Sequence, residues 1–121
     1  MIALKTTFRI LIGPAIAIGP GKADLLEGIG RTGSISAAAR AMNMSYRRAW
    51  LLVDTMNRCF KQPLVAAQTG GKGGGGAQIT DLGREILHHY REMERKTLSA
   101  TGEDMAAIRS HLTDTPPENP H

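Results

Sequence analysis

Apolar and polar residues change period several times along this chain, and each change marks an element. Thr7–Ile12 (TFRILI) is short, apolar and partly β-branched, which predicts a strand ended by Gly13-Pro14. Ala15–Ile18 reads as an extension of that strand beyond a kink. Pro20-Gly21 opens a helix over Lys22–Arg31, with an apolar stripe of Leu25, Leu26 and Ile29, and Thr32-Gly33 stops it. Ser34 or Ser36 caps a second, short helix containing Ala37–Met42, whose alanines favour helix and allow a neighbour to approach closely. Asn43-Met44 makes a tight turn, and Ser45 caps a third helix running to Phe60. In it Ala49, Val53, Met56 and Phe60 recur at helical spacing as a core-facing stripe. Tyr46, Arg47, Leu51 and Asp54 point elsewhere, and Arg48 lies at the boundary.

Pro63 cannot continue that helix, so Leu64–Ala67 becomes a strand. Ala77–Ile79 pairs back with it across the run TGGKGGGG at 69–76. Thr80 caps a long helix over about 80–100, with Leu82, Ile86, Leu87, Tyr90 and Met93 at helical spacing. Gly102 interrupts it, and Glu103–Leu112 forms a further helix. The tail TDTPPENPH (113–121) has no apolar residue to bury and is expected to be disordered. Residues 1–112 are thus expected to form one domain, mainly α with a small β part.

Composition adds few constraints to this outline. At 121 residues, 41% hydrophobic and 21% charged, the chain has the make-up of a single soluble domain. Aromatics are only 4%, so the core must rest on aliphatic residues, Met and Ala. Cys59 is the single cysteine, which excludes an internal disulfide and a cysteine-rich zinc module. Residues 1–21 faintly resemble a signal peptide, but Gly13-Pro14 breaks the apolar run and no run reaches transmembrane length. A cytoplasmic protein without a membrane partner is the expectation.

Charge changes the picture more. Residues 1–30 carry +1 and residues 80–121 carry −3. Residues 31–79 hold Arg31, Arg40, Arg47, Arg48, Arg58, Lys61 and Lys72 against Asp54 alone, a block of +6. Clustered positive charge with little acid nearby is the footprint of a phosphate-backbone binder, although a solvated basic surface has the same composition.

The glycine run holds six of the chain's fourteen glycines around Lys72, and three uses compete. A phosphate cradle fails on context. A dinucleotide fingerprint needs glycines that open a helix directly, yet AQI intervenes here before Thr80. The Walker pattern needs Ser or Thr after the lysine, and Gly73 stands there. A slack linker suits the composition but not the position between two strand-like segments. A hairpin tip fits best: glycines remove bulk, so that backbone N–H groups and one ammonium can lie against a phosphodiester chain.

A helix–turn–helix over 36–60 followed by a two-stranded wing is a winged helix-turn-helix arrangement. The segments TGSISAAARAMNMSYRRAW, PLV and TGGKGGGGAQITDLG resemble the N-terminal DNA-binding domain of ModE-type molybdate-responsive transcription regulators, with a looser similarity to LysR-type regulators. The match spans about residues 20–95. The resemblance implies a homodimer formed through the long helix. It also implies binding of double-stranded operator DNA by the third helix (45–60) and the wing (68–78), at molybdate-transport or molybdenum-related genes. Full-length members bind molybdate in C-terminal oligobinding-type domains. Residues 96–121 offer no such domain, so neither molybdate binding nor any other cofactor or metal is expected here.

Candidate DNA contacts follow. Arg47 can bind guanine bidentately or clamp a phosphate, Tyr46 can meet a phosphate or a thymine methyl, and Arg48 suits the backbone. Ser34, Ser36 and Ser45 stand where helix N-termini meet phosphates, though capping alone explains serine there. Lys72, Gly73 and Gly74 form the wing tip. Trp50 is either a buried brace for the third helix or a DNA contact. Catalysis finds no support: His88 and His89 diverge by about 100° on a helix, and Cys59 has no histidine near it in sequence. The other function class left open is an interaction module that keeps the fold and heterodimerises with a larger regulator.

Overall fold

The computed structural model describes residues 4–5, 7–68 and 76–118. Its first feature departs from the sequence expectation. Gly13 takes φ +55, so the chain reverses there and β1 (Ile10–Ile12) pairs antiparallel with β2 (Ala15–Ile18). A glycine with positive φ followed by proline is a tight-hairpin turn, where a kinked single strand was expected. The hairpin brings Ile12 opposite Ala15 and leaves Ile10, Leu11 and Ile12 exposed, while Ala17 and Ile18 enter the core.

Among the described residues five helices follow the expected order, with two small antiparallel sheets. Helix α1 (Pro20–Thr32) begins with proline at its first position and ends at Gly33, whose φ of +73 lets its N–H reach the Ile29 carbonyl at 2.8 Å. Ser34, not Ser36, caps α2 (Ile35–Ala41) by accepting from the Ala37 N–H at 3.1 Å. The tight turn before the next helix places Asn43 at φ +53, a conformation Asn tolerates better than most residues. Helix α3 (Tyr46–Cys59) is capped by Ser45. Strands β3 (Val65–Gln68) and β4 (Gly76–Ile79) pair as Val65 with Ile79 through Gln68 with Gly76. Helix α4 (Asp81–Ala100) starts from the Thr80 cap, and α5 (Gly102–Arg109) follows it. The fold is a winged helix-turn-helix.

The core joins Ile18, Leu25, Leu26, Ile29, Ala49, Val53, Met56, Leu64, Ile79 and Tyr90, while Phe60, Leu82, Ile86 and Leu87 pack partly buried against it. Each fully buried aliphatic side chain contributes roughly 1.5–3 kcal/mol. Small residues set the spacing of α1 and α2, since a Cβ on Gly28 would lie 3.1 Å from that of Ala38. The apolar stripe of α4 outlasts the core beneath it. Tyr90 is buried, whereas Met93 and Leu98, nearer the end of the helix, are exposed.

Two side chains of α4, Tyr90 and Arg91, tie it to the elements around it. The Tyr90 hydroxyl donates to the Phe8 carbonyl at 2.8 Å, pinning the segment before β1. Arg91 donates to Asp24 at 2.8 Å and Glu27 at 3.1 Å on α1, and to Glu94 at 3.0 Å on its own helix. Partial burial alone would lower the pKa of that guanidinium, but hydrogen bonds to Asp24 and Glu94 and the charge of Glu27 carry it above its ordinary value.

Gly83 sits where a Cβ would collide with the Leu64 carbonyl oxygen and come within 2.6 Å of the Ile79 side chain. Gly83→Ala is therefore expected to cost about 3 kcal/mol, lowering Tm by about 12 °C in thermal unfolding. Gly102→Ala, where a Cβ meets nothing within 4 Å, is expected to leave Tm unchanged or slightly raised.

Tyr90→Phe leaves the Phe8 carbonyl without this partner and is expected to cost about 1 kcal/mol in denaturant unfolding. Burial, then the Glu94 charge, raises the Tyr90 pKa. Its contribution is thus full below pH about 10 and falls away as pH rises through the folded-state value. The phenylalanine variant should lose that part of the alkaline destabilisation.

Candidate nucleic-acid interface

Helix α3 is amphipathic in an unusual sense. One face is core, with Ala49, Val53 and Met56 buried. The other presents Tyr46 at 55%, Trp50 at 47% and Leu51 at 46% exposure, beside exposed Arg47 and Arg48. Large apolar groups left in water next to arginines form a surface suited to base edges and thymine methyls. Trp50 is therefore on the outer side of α3, one turn from Tyr46, and does not brace the helix from within.

Ser45 holds this turn in shape. Its hydroxyl accepts from the Arg48 N–H at 3.1 Å, so it is used as a cap. Ser45, Arg47, Arg48, Leu51 and Thr55 border a shallow depression along the helix. Neither Arg47 nor Arg48 forms an ion pair among the described residues, whereas Arg58, further along, lies 3.6 Å from Asp54. The free guanidinium groups thus concentrate at the end of α3 that follows the turn.

The wing root meets the turn between α1 and α2. Ala77 N–H donates to the Gly33 carbonyl at 3.0 Å, and a Cβ on Gly76 would lie 2.9 Å from that same oxygen. Gly76 is therefore glycine for close approach, and the contact places Ser34, the cap of α2, beside the wing. Ser36 lies within the first turn of α2 and is half-buried. Gln68 and Gly76 face each other across the end of the β3–β4 ladder, which makes 69–75 the connection between them. Lys72, Gly73 and Gly74 lie in that connection, outside the described residues.

Asn57 joins the wing to α3, and the sequence reading passed over it. Its Oδ1 accepts from the N–H groups of Leu64 at 2.8 Å and Val65 at 3.1 Å, and its Nδ2 donates to the Val65 carbonyl at 2.9 Å. The available signal was a poor helix former placed inside a helix and six residues before a proline. Lys22 was also missed. It is 8% exposed, and its ammonium donates to the Ile16 carbonyl. No helix among the described residues is long and apolar enough to cross a membrane.

The chain is similar to known proteins over much of its length. The chain is 45% identical over 84 residues to the molybdenum transport protein ModE of Azotobacter vinelandii, covering 69% of this chain and 31% of that protein. It is 47% identical over 77 residues to the molybdenum-pterin-binding protein MopB of Rhodobacter capsulatus, covering 64% of this chain and 28% of that one. With the DNA-binding transcriptional dual regulator ModE of Escherichia coli K12 it shares 36% identity over 90 residues, 72% of this chain and 34% of the relative. No protein-family model matches the chain. It spans about a third of the length of these relatives. With such identities over about two thirds of its own length, and a winged helix-turn-helix beneath them, the chain belongs to the ModE family and carries its N-terminal domain.

Proposed function

We propose that this domain binds double-stranded operator DNA as a homodimer and regulates transcription of genes for molybdate transport or molybdenum use. One observation carries the reading: the start of α3 exposes Tyr46, Arg47, Arg48, Trp50 and Leu51 together, with no acidic partner for either arginine among the described residues. Placed in a major groove, such a turn lets Arg47 reach guanine while Tyr46 and Trp50 meet thymine methyls. Arg48 and the capped helix starts at Ser34 and Ser45 then face phosphates, with Ser36 close behind. Lys72, Gly73 and Gly74 follow the backbone from the wing. The relatives named as transcriptional regulators and molybdenum transport proteins support the regulatory role and its connection to molybdenum.

Dimerisation rests on apolar surface that the monomer leaves in water. Met93 and Leu98 on α4, Ile108 on α5 and Ile10–Ile12 on β1 are all exposed. A two-fold interface buries such a set against its own copy and presents two reading heads about 34 Å apart, one helical turn of DNA. The same residues would serve an interaction module that pairs with a larger regulator, but that reading leaves the unpaired arginines of α3 without a task. Light scattering at micromolar concentration is expected to give a dimer, and Met93→Glu with Leu98→Glu a monomer of unchanged helicity. A wild-type monomer would refute the dimer.

DNA binding is tested on the promoter beside the chain's own gene and on random duplex. Arg47→Ala is expected to cost about 1–3 kcal/mol on the promoter and far less on random DNA. Lys72→Ala should weaken both alike and flatten the slope of log affinity against log salt by about 0.9. Unchanged affinity and slope in both variants would exclude the proposed contacts.

A further inference from the structure

A cleft opens where the hairpin, the start of α1 and the side of α3 meet. It has a volume of 240 Å³ and is lined by Arg9, Gly19, Gly21, Lys22, Met44 and Arg48, among other residues. That is several times the ~30 Å³ that one water occupies in the liquid, enough for a phosphate group and a few waters. Three cations border it, and none of its lining residues is acidic. Arg9, Lys22 and Arg48 form no ion pair among the described residues.

Lys22 makes the arrangement hard to explain as surface charge. It is 8% exposed, it keeps its ammonium against a main-chain carbonyl, and it has no carboxylate to neutralise it. Burial lowers its pKa, with the Cys59 sulfur acting in the opposite direction. A buried cation without a counter-ion costs free energy that a bound anion would recover. The helix start adds donors of the right kind. Gly19 gives α1 no side-chain cap, the first turn has no acidic residue, and the helical bonds begin with Ala23 N–H to the Gly19 carbonyl. The N–H groups of Gly21 and Lys22 therefore have no acceptor within the helix, and the dipole there favours negative charge. A Cβ on Gly21 would meet nothing within 4 Å, so that side of the turn is open.

We propose that this cleft is an oxyanion site, in which Arg9, Lys22, Arg48 and the first amides of α1 hold one phosphate-class anion. Its source is either a phosphate of the DNA backbone, reached through Arg48 at the flank of α3, or free phosphate. The site stands on its own residues and does not depend on the DNA-binding reading.

The test titrates inorganic phosphate into the full chain at constant ionic strength, with chloride as the balancing ion, and follows amide NMR shifts. Saturable shifts at Gly21 and Lys22 are expected. Arg9→Gln and Arg48→Gln, both at exposed positions, should each raise the half-saturation concentration at least about tenfold, a loss of about 1.4 kcal/mol. Arg109→Gln on α5 should leave it unchanged. Linear, non-saturating shifts, identical in wild type and in Arg9→Gln, would overturn the site. A second arm adds the same phosphate to a DNA-binding assay. If phosphate competes with duplex in wild type and not in Arg9→Gln, the site receives a backbone phosphate. If the first titration saturates while duplex affinity stays constant, it receives the free anion. Because the first arm contains no DNA, its failure and a failure to bind DNA are separate results.

Discussion

The main chain of Leu64 is the joint on which the molecule turns. Its N–H is held by Asn57 from α3 at 2.8 Å, and its carbonyl accepts from the Thr80 N–H at 2.9 Å just before α4. Its side chain is wholly buried, and Gly83 presses against its carbonyl from the first turn of α4. The end of α3, both strands of the wing and the start of α4 therefore meet at one residue. An unpaired buried peptide group costs roughly 1–3 kcal/mol, so this joint resists small shifts of any single element. The consequence is geometric: α3, the β3–β4 ladder and the start of α4 are fixed to one another at this point.

Charge is divided to match. The acidic residues Asp24, Glu27 and Glu94 are gathered around Arg91, at the seam of α1 and α4. The face of α3 keeps Arg47 and Arg48 without such partners among the described residues. An arginine already paired releases fewer counterions on meeting a phosphate, so this separation is what the proposed contact with a polyanion requires. The cleft at the start of α1 extends the same positive field around the flank of α3, with Arg48 common to both surfaces.

Much of α3 was legible because its signals are local. Ser45 is a cap in both readings, and the stripe of Ala49, Val53 and Met56 reports a helical face without any tertiary knowledge. Trp50 was ambiguous because an indole beside a core stripe can turn either way, and only packing against α1 and β2 decides which side is filled. Asn57 and Lys22 were missed for a related reason. Their partners, Leu64, Val65 and Ile16, lie six to eight positions away around turns whose geometry no periodicity encodes. Lys72, Gly73 and Gly74 remain readings of composition, since they lie outside the described residues.

The amino-acid sequence by itself determined the elements. Turn residues, caps and apolar period are short-range properties, and they yield the order of helices and strands and the basic block across 31–79. Tertiary structure decided what those elements do to one another. It folded Ala15–Ile18 back on Ile10–Ile12, because a two-residue turn with Gly13 at φ +55 costs little and lets Ala17 and Ile18 reach the core. It chose Ser34 over Ser36 as the cap, because the left-handed Gly33 turns the chain into α2 two residues earlier. It also drew Arg9, Lys22 and Arg48, far apart in sequence, to one cleft. Local free-energy preferences are written residue by residue, whereas a shared cavity depends on how three elements pack, and packing is a property of the whole core.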